Sequence, residues 1–561
     1  MSERLRRGML AMLAVIVVMA VSACAGLPVS GPVKIGRELS DTGEEPNVSF
    51  SPDAPIAGMT PEQVVEGFIA AGSGPRDNWA IAHMFLTEDA EWEPRGGVTV
   101  YTPGERTVSA PTDGEVSVAV TTEASVDASG AYTTLPGSTA DLTFRVEQER
   151  GEWRIAEAPD GVVLDRNRFA SVFRSYSLMF FDPTWTYLVP DERWFPVESA
   201  RVRIADALTV GGPSPWLAES VVSAFTESTG LSARSIPVRS QVAEVPLRTA
   251  ARDLDQQTLD RMQTQLVASL ATAGVRSVEM LVDGQPLTAL TVAVEGTRVE
   301  PRALVYTTDR LGFLSGAEIE SLPGLTSALI DSGGAPDAIE TSADLAVGAV
   351  RAGSGEVQRI RDDGTWVTLD TRAQLVPPTL DAAGYLYSVP TDRPAALLAY
   401  GDDDAPVEIA AAWPGATRIY AMSVSRDGTR IAALVRDGAN PWVWVAGIVR
   451  DPATGAPVRL SDPHPLGEIP GDGIAIAWLD GSTVAALADA GGQRAVIDQP
   501  VGGPSSSTRA PDLAASIAGG NESGDVRLLD NEGRLYGQRG ATWSPIAGDI
   551  AVLAIQRGTP D

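Results

Sequence analysis

Apolar and polar positions change their rhythm several times along the chain, and each rhythm predicts a different element. Arg4, Arg6 and Arg7 precede an uncharged apolar run over residues 9–21. That run falls short of the roughly 20 residues a membrane-spanning helix needs and has the layout of a secretory signal peptide. Residues 25–57 are rich in Gly, Pro, Ser and acidic side chains and hold no period, the texture of a flexible spacer. At Thr60-Pro61-Glu62-Gln63 a helix start is written out. Thr60 is placed as N-cap, Pro61 in the first turn and Gln63 for a capping box. Val64, Val65, Phe68 and Ile69 then share one face, and Gly72, Gly74 and Pro75 stop the helix. A second helix is predicted over residues 76–86, with Trp79, Met84 and Phe85 packing inward. From residue 98 to 155 the period becomes two, in Val116-Val118-Val120 and again in Leu142-Phe144-Val146.

Two helices followed by a curved antiparallel sheet predict an α+β cone-like domain, of the nuclear-transport-factor-like kind, over residues 58–165. A second domain is placed over residues 166–300. It opens with two apolar strands, Tyr176-Ser177-Leu178-Met179-Phe180-Phe181 and Tyr187-Leu188-Val189, split by Asp182-Pro183. Residues 202–208 read as helical and Gly211-Gly212 as their stop. Leu259, Met262, Leu266 and Leu270 line one face of a longer helix over residues 256–272, and Gly274 follows where a terminal glycine belongs. A strand over residues 278–282 and an Asp283-Gly284 turn complete a small α/β module. Residues 301–561 lose the helical periods altogether. Asp381-Ala382-Ala383-Gly384-Tyr385-Leu386-Tyr387 recurs as Asp530-Asn531-Glu532-Gly533-Arg534-Leu535-Tyr536, and the Asp427-Gly428 turn with its apolar follow-on recurs at Asp480-Gly481. One tight hairpin per 40–50 residues predicts an all-β propeller of five or six blades.

Composition narrows the chemistry. An apolar fraction of 44% is ample for several cores. A net charge of -30 argues against nucleic-acid binding. Lys34, in the spacer, is the only lysine, so Schiff-base or Ser-Lys chemistry has no residue in the body. His83 and His464 are the two histidines. Neither has the spacing of a zinc site, so no metal and no cofactor are expected and each reads as a packed or surface ring. Asp402-Asp403-Asp404 is the densest acidic run and reads as a solvated loop. Trp442 and Trp444 lie on one strand face. No catalytic residue is assigned.

The one cysteine gives the sharpest reading. Val21-Ser22-Ala23-Cys24 resembles the bacterial lipobox, with cleavage between Ala23 and Cys24 and lipid attached to Cys24. Two or more acyl chains, palmitate among the usual ones, hold a protein stably at a membrane. The expectation is a signal peptide over residues 1–23, a lipidated tether over 24–57, and a body anchored at the extracytoplasmic face of the cell membrane. Taken in order, lipobox, cone, α/β module and propeller resemble the LpqB lipoproteins. The residues carrying the resemblance are Cys24-Ala25-Gly26-Leu27-Pro28-Val29-Ser30-Gly31-Pro32-Val33, Trp79-Ala80-Ile81-Ala82-His83-Met84-Phe85-Leu86-Thr87 and Leu188-Val189-Pro190-Asp191-Glu192-Arg193-Trp194-Phe195-Pro196. Residues 278–284 resemble the end of a GerMN module. The resemblance implies an accessory protein of a two-component system. It would meet the extracellular domain of a membrane sensor histidine kinase, MtrB, and influence cell-envelope and division signalling. It implies no catalytic residue. Two other classes stay open, a binder of envelope glycan or small ligands and a propeller-based glycan hydrolase.

Replacing the thiol tests the anchor. Cys24→Ala is expected to leave the chain unprocessed or free of the membrane, and mass spectrometry of the mature N-terminus reads out the lipid directly.

Overall fold

The computed structural model describes residues 52–558, apart from Asp113, Gly334 and Ser523. Ala23, Cys24 and the spacer up to residue 51 lie outside the described residues. No helix among the described residues is long and apolar enough to cross a membrane.

The first helix, α1 (Pro61–Ala71), forms as its sequence dictates. Gln63 N–H donates to Thr60 Oγ1 (3.3 Å) and Thr60 N–H donates back to Gln63 Oε1 (2.9 Å), and Val64, Val65, Phe68 and Ile69 are buried. The second helix is much shorter than its periodicity predicts. Only α2 (Ala80–His83) forms. Asp77, Asn78 and Trp79 all take positive φ (49°, 57° and 57°), and the Trp79 indole donates to the Gly72 carbonyl at 2.8 Å. That bond satisfies a carbonyl just past the end of α1 and turns the Trp79 ring inward, at the cost of helical geometry in the three residues leading to it. Met84 is consequently exposed, while Trp79 and Phe85 are buried.

Five strands follow: β1 (Gly97–Thr112), β2 (Glu115–Asp127), β3 (Tyr132–Glu149), β4 (Glu152–Glu157) and β5 (Val162–Asp165). They lie in the order β4-β3-β2-β1-β5, antiparallel except for β5 beside β1. Register shifts at Val100–Arg106 and Thr122–Ala124 bend the long strands, as bulges do, so the sheet wraps α1. A third helix, α3 (Arg166–Val172), is capped by Asp165. It puts Phe169 and Val172 into the same core as Phe68, Phe144 and Ile155.

The next module starts with an antiparallel pair, β6 (Phe173–Phe181) and β7 (Leu188–Pro196). Asp182 makes the turn between them by accepting from the N–H groups of Thr184, Thr186 and Tyr187. Helix α4 (Ala200–Asp206) runs into a wider turn that ends at Gly212, whose φ of +69° requires glycine. Four strands form a second sheet in the order β11-β10-β9-β8: β8 (Val238–Arg239), β9 (Val242–Leu247), β10 (Ser277–Val282) and β11 (Gln285–Pro286). Helix α5 (Gln256–Ala271) crosses between β9 and β10, which are parallel. Its predicted face of Leu259, Met262, Leu266 and Leu270 is buried.

Six sheets make up the remainder, one hairpin-built blade after another. The first blade, from Leu304–Tyr306, Leu311–Ser315 and Glu318–Ser321, takes its inner strand from the far end of the chain, Val552–Leu553. The ring is thus closed by pairing its two ends, and each blade keeps only short edges, as in radial β-architectures generally. One element escapes the sequence reading, a nine-residue helix Pro323–Asp331 between the first two blades. It is too short for its period to stand out from the flanking strands.

The repeated Asp-Gly segments have matching chemistry. Asp381 Oδ1 accepts from the N–H of Ala383 and Tyr385, and Oδ2 accepts from the Tyr387 hydroxyl at 2.8 Å. Asp530 does the same with Glu532, Arg534 and the Tyr536 hydroxyl at 3.0 Å. These aspartates hold turns. At the hub, Arg557 ties three blades together. It donates to Glu340 (2.5 Å), to the Thr379 hydroxyl and to the Val424 carbonyl, with both charged side chains almost fully buried.

Arg557→Ala leaves the Glu340 carboxylate buried without its cation. Breaking a buried pair this way costs about 3–5 kcal/mol, and the expected result is a drop of that size in urea-monitored stability of the full chain.

Candidate functional site: the junction of the three domains

All three parts of the body meet on one strand, β7. A strand alternates its side chains between two faces. On one face of β7 stand Asp191, Arg193 and Phe195, all buried, and on the other Glu192 and Trp194, half-buried. Asp191 and Arg193 form an ion pair at 2.8 Å with both side chains 3% exposed. Desolvating two charges is tolerable only if their remaining hydrogen-bonding capacity is filled, and here it is. Ser214 donates to Asp191 from its N–H and its hydroxyl, both at 2.7 Å. Arg193 Nη1 donates across to the cone domain, to the carbonyl (3.0 Å) and hydroxyl (2.9 Å) of Ser129.

Trp194 joins two domains at once. Its backbone N–H donates to the Gly130 carbonyl of the cone (2.8 Å), and its indole donates to the Gly502 carbonyl of the propeller (2.8 Å). Gly130 cannot be larger. Its φ is +89°, and a Cβ there would lie 2.7 Å from the Phe195 ring. The propeller answers with Arg430, fully buried and paired to Asp427 at 2.5 Å. Its guanidinium sits 4.9 Å above the Trp478 ring and reaches the Pro190 carbonyl of β7. Around this axis, Thr134 of the cone donates to the Leu466 carbonyl (2.7 Å), and Arg459 of the propeller pairs with Glu219.

Between these contacts lies a cavity of about 320 Å³. Its walls include Tyr132 from the cone, Glu192 and Trp216 from the middle module, and Asp462 and His464 from the propeller. His464 is stacked parallel to Trp216, ring centres 5.8 Å apart and planes 8° apart. Burial pushes its imidazole below the usual range, against a smaller opposing pull from Asp191. Burial also pushes the Glu192 carboxyl up, against the Ser175 and Ser177 hydroxyls that donate to it. A second cavity, of about 470 Å³, opens at the propeller hub beneath the Tyr187–Glu295 hydrogen bond, with Arg426 and Arg557 in its wall.

The residues singled out from the sequence fall mostly elsewhere. His83 lies on the cone surface with its ring edge-on to Trp92 at 5.2 Å. His464 does reach a cavity, and it starts a strand (His464–Glu468) instead of lying in the expected loop. Asp404 of the acidic run is paired with Arg359 (2.5 Å) and approaches Arg361 (3.5 Å), while Asp402 and Asp403 are exposed. Trp444 is core and Trp442 packs against the same core, so this pair serves the blade. Among the described residues no group of His, Cys, Asp and Glu is arranged to hold a metal ion. Sequence reading passed over the Asp191/Arg193 pair. Opposite charges two apart on the inward face of an otherwise apolar strand were the available signal.

The junction should loosen in mild acid. A histidine whose folded-state pKa is depressed keeps its full contribution above its unfolded value of about 6.5 and loses it as pH falls below that value. Between pH 7.5 and 5.5 the urea midpoint is expected to fall more for the native chain than for His464→Gln, by a difference worth up to about 1 kcal/mol.

Comparison with known proteins sets this geometry among relatives. A family model described as the N-terminal domain of lipoprotein LpqB matches residues 54–170, and one described as the LpqB beta-propeller domain matches 309–552. Between them a model described as sporulation and spore germination matches 177–288. Proteins named Lipoprotein LpqB align from Bifidobacterium longum (25% identity over 77% of this chain and 77% of that one) and from Mycolicibacterium smegmatis (26% over 85% and 86%). Another aligns from Rhodococcus opacus at 28% identity, over 49% of this chain and 47% of its own length. Among solved structures, a chain of a nidogen/laminin complex aligns with 45% of this chain and 97% of its own at 9% identity and a TM-score of 0.32, too remote to bear on function. The two LpqB-specific models flank the germination-type module in the order the three domains follow here, and the chain belongs to the LpqB lipoprotein family.

Proposed function

We propose that this lipoprotein works at the extracytoplasmic face of the cell membrane by protein–protein contact. Its partner is the extracellular domain of a sensor histidine kinase of the MtrB type, and its effect is on cell-envelope and division signalling. The observation that carries a binding role is the use to which the body puts its buried charged groups. Asp191, Glu340, Asp381 and Asp427 each hold an arginine that bridges blades, turns or domains. Such groups make a scaffold stiff, and a stiff scaffold presents the outer faces of three domains as one fixed surface. Fixing that surface beforehand lowers the ordering cost of association. A lipid at Cys24 would confine it near membrane receptors and raise its effective concentration, so that a weak interface is occupied. The resemblance to LpqB supplies the kinase as partner, and the net charge of -30 favours a basic face on it.

Cross-linking in intact membranes tests this. The native chain carrying an affinity tag is expected to bring down a sensor kinase through its extracellular domain. Cys24→Ala is expected to cut the yield by about tenfold or more through lost confinement. Recovery without any kinase counts against the proposal.

A further inference from the structure

Between the middle module and the propeller the chain runs over residues 287–300 without a turn, a bend or a regular element. The first part of this strap reads Leu287-Thr288-Ala289-Leu290-Thr291-Val292-Ala293-Val294. Its Thr and Val residues suit a strand, yet it belongs to no sheet. Helix α5 holds one of its edges instead. Gln256 Nε2 donates to the Thr288 carbonyl (3.0 Å), the Leu290 N–H donates to Asp260 Oδ1 (2.8 Å), and the Val292 N–H donates to Thr264 Oγ1 (2.8 Å). Four residues of helix rise about 6 Å and two residues of strand about 6.6 Å. Polar side chains four apart on α5 therefore meet every second residue of the strap.

The opposite edge is bare. In an extended chain the N–H and C=O of one residue point to one side and those of the next residue to the other. The N–H and C=O of Ala289, Thr291 and Ala293 meet no partner among the described residues. Thr291 and Ala293 are exposed, and so are the side chains of Leu290 (73%) and Val294 (38%). A bare edge is a template for another strand, and native proteins blunt such edges with charges, prolines or bulges. Residues 287–294 contain no charge and no proline.

We infer that the strap pairs with the same strap of a second copy of this chain, antiparallel and centred on Thr291. The free groups are spaced for it. Thr291 then faces Thr291 and Ala289 faces Ala293, and each facing pair exchanges two hydrogen bonds. The pairs between them set Leu290 beside Val292 of the other copy, which covers the exposed Leu290. The strap is thus complementary to itself in hydrogen bonding and in apolar character, as a contact across a two-fold axis requires. The net charge of -30 on each copy opposes association at long range, but salt screens it beyond about 8 Å and the strap itself is neutral. The inference does not depend on the kinase being the partner.

Disulfide trapping in intact membranes tests it, with the native chain and its Cys24 setting the background. Facing residues lie about 5.5 Å apart between Cα atoms, inside the roughly 4.4–6.8 Å that a disulfide spans, whereas diagonal ones lie about 7–8 Å apart. Thr291→Cys is expected to give a linked dimer under mild oxidation, and Leu290→Cys at least about tenfold less. Differently tagged Ala289→Cys and Ala293→Cys chains are expected to link to each other and not to themselves. Thr291→Pro removes a donor from the bare edge and keeps the backbone extended. Placed in both members of that mixed pair, it is expected to abolish the link without changing the melting temperature. Leu290→Lys, which sets a charge on an exposed position, serves as a second variant with the same expectation. The inference is overturned by no dimer from Thr291→Cys, by equal yields from Thr291→Cys and Leu290→Cys, by a link to a different protein in place of the second copy, or by an undiminished mixed link in folded Thr291→Pro or Leu290→Lys chains.

Discussion

Arg193 occupies the position on which the rest of this body depends. A guanidinium inside a protein must find an acceptor for nearly every N–H it carries, and Arg193 finds them in two domains: Asp191 and the Gly212 carbonyl in its own module, and Ser129 in the cone. Several neighbours are then constrained. Gly212 must turn its carbonyl inward at positive φ, Ser214 must fill the second lone pairs of Asp191, and the Ser129–Gly130 turn must lie close enough to β7 for Gly130 to have no side chain. Once β7 is held, its other face carries Trp194 against Gly502, and the propeller is held as well. The order of dependence runs from one buried charge to one strand and from that strand to three domains.

The same device recurs where blades converge. Arg557 gathers Glu340, Thr379 and the Val424 carbonyl, and Arg426, without a carboxylate, donates to the carbonyls of Thr297 and Gly520. Thr297 belongs to the segment leading into the propeller, so the hub also fixes how the middle module enters it. Buried polar clusters of this sort add less to stability than well-packed apolar groups of the same volume, and they penalise any arrangement in which they are half-satisfied. In this body the penalty falls on any arrangement in which blades or domains shift relative to one another.

Much of this fold was legible in the sequence, and the parts that were not share a cause. The capping box at Thr60, the face of α5 and the alternation of Val116, Val118 and Val120 are local patterns, set by residues a few positions apart. The Asp381 and Asp530 turns were legible as a repeat because their hydrogen bonds stay within six residues. The truncation of α2 was hidden because its cause, the Trp79 indole on the Gly72 carbonyl, is a side-chain contact that periodicity does not encode. The junction was hidden for a stronger reason. Ser129, Arg193, His464 and Gly502 are scattered over the chain and become neighbours only through docking. The stretch from Leu188 to Pro196 drew notice as a family resemblance, and the structure supplies the physical reason it is a coherent motif: its alternate residues serve different domains.

Calorimetric unfolding of the full chain tests the account most directly. If one strand couples all three domains, the described body melts in a single cooperative transition whose calorimetric and van't Hoff enthalpies agree. Two or three separable transitions in the native chain, with cone and propeller melting independently, would contradict it.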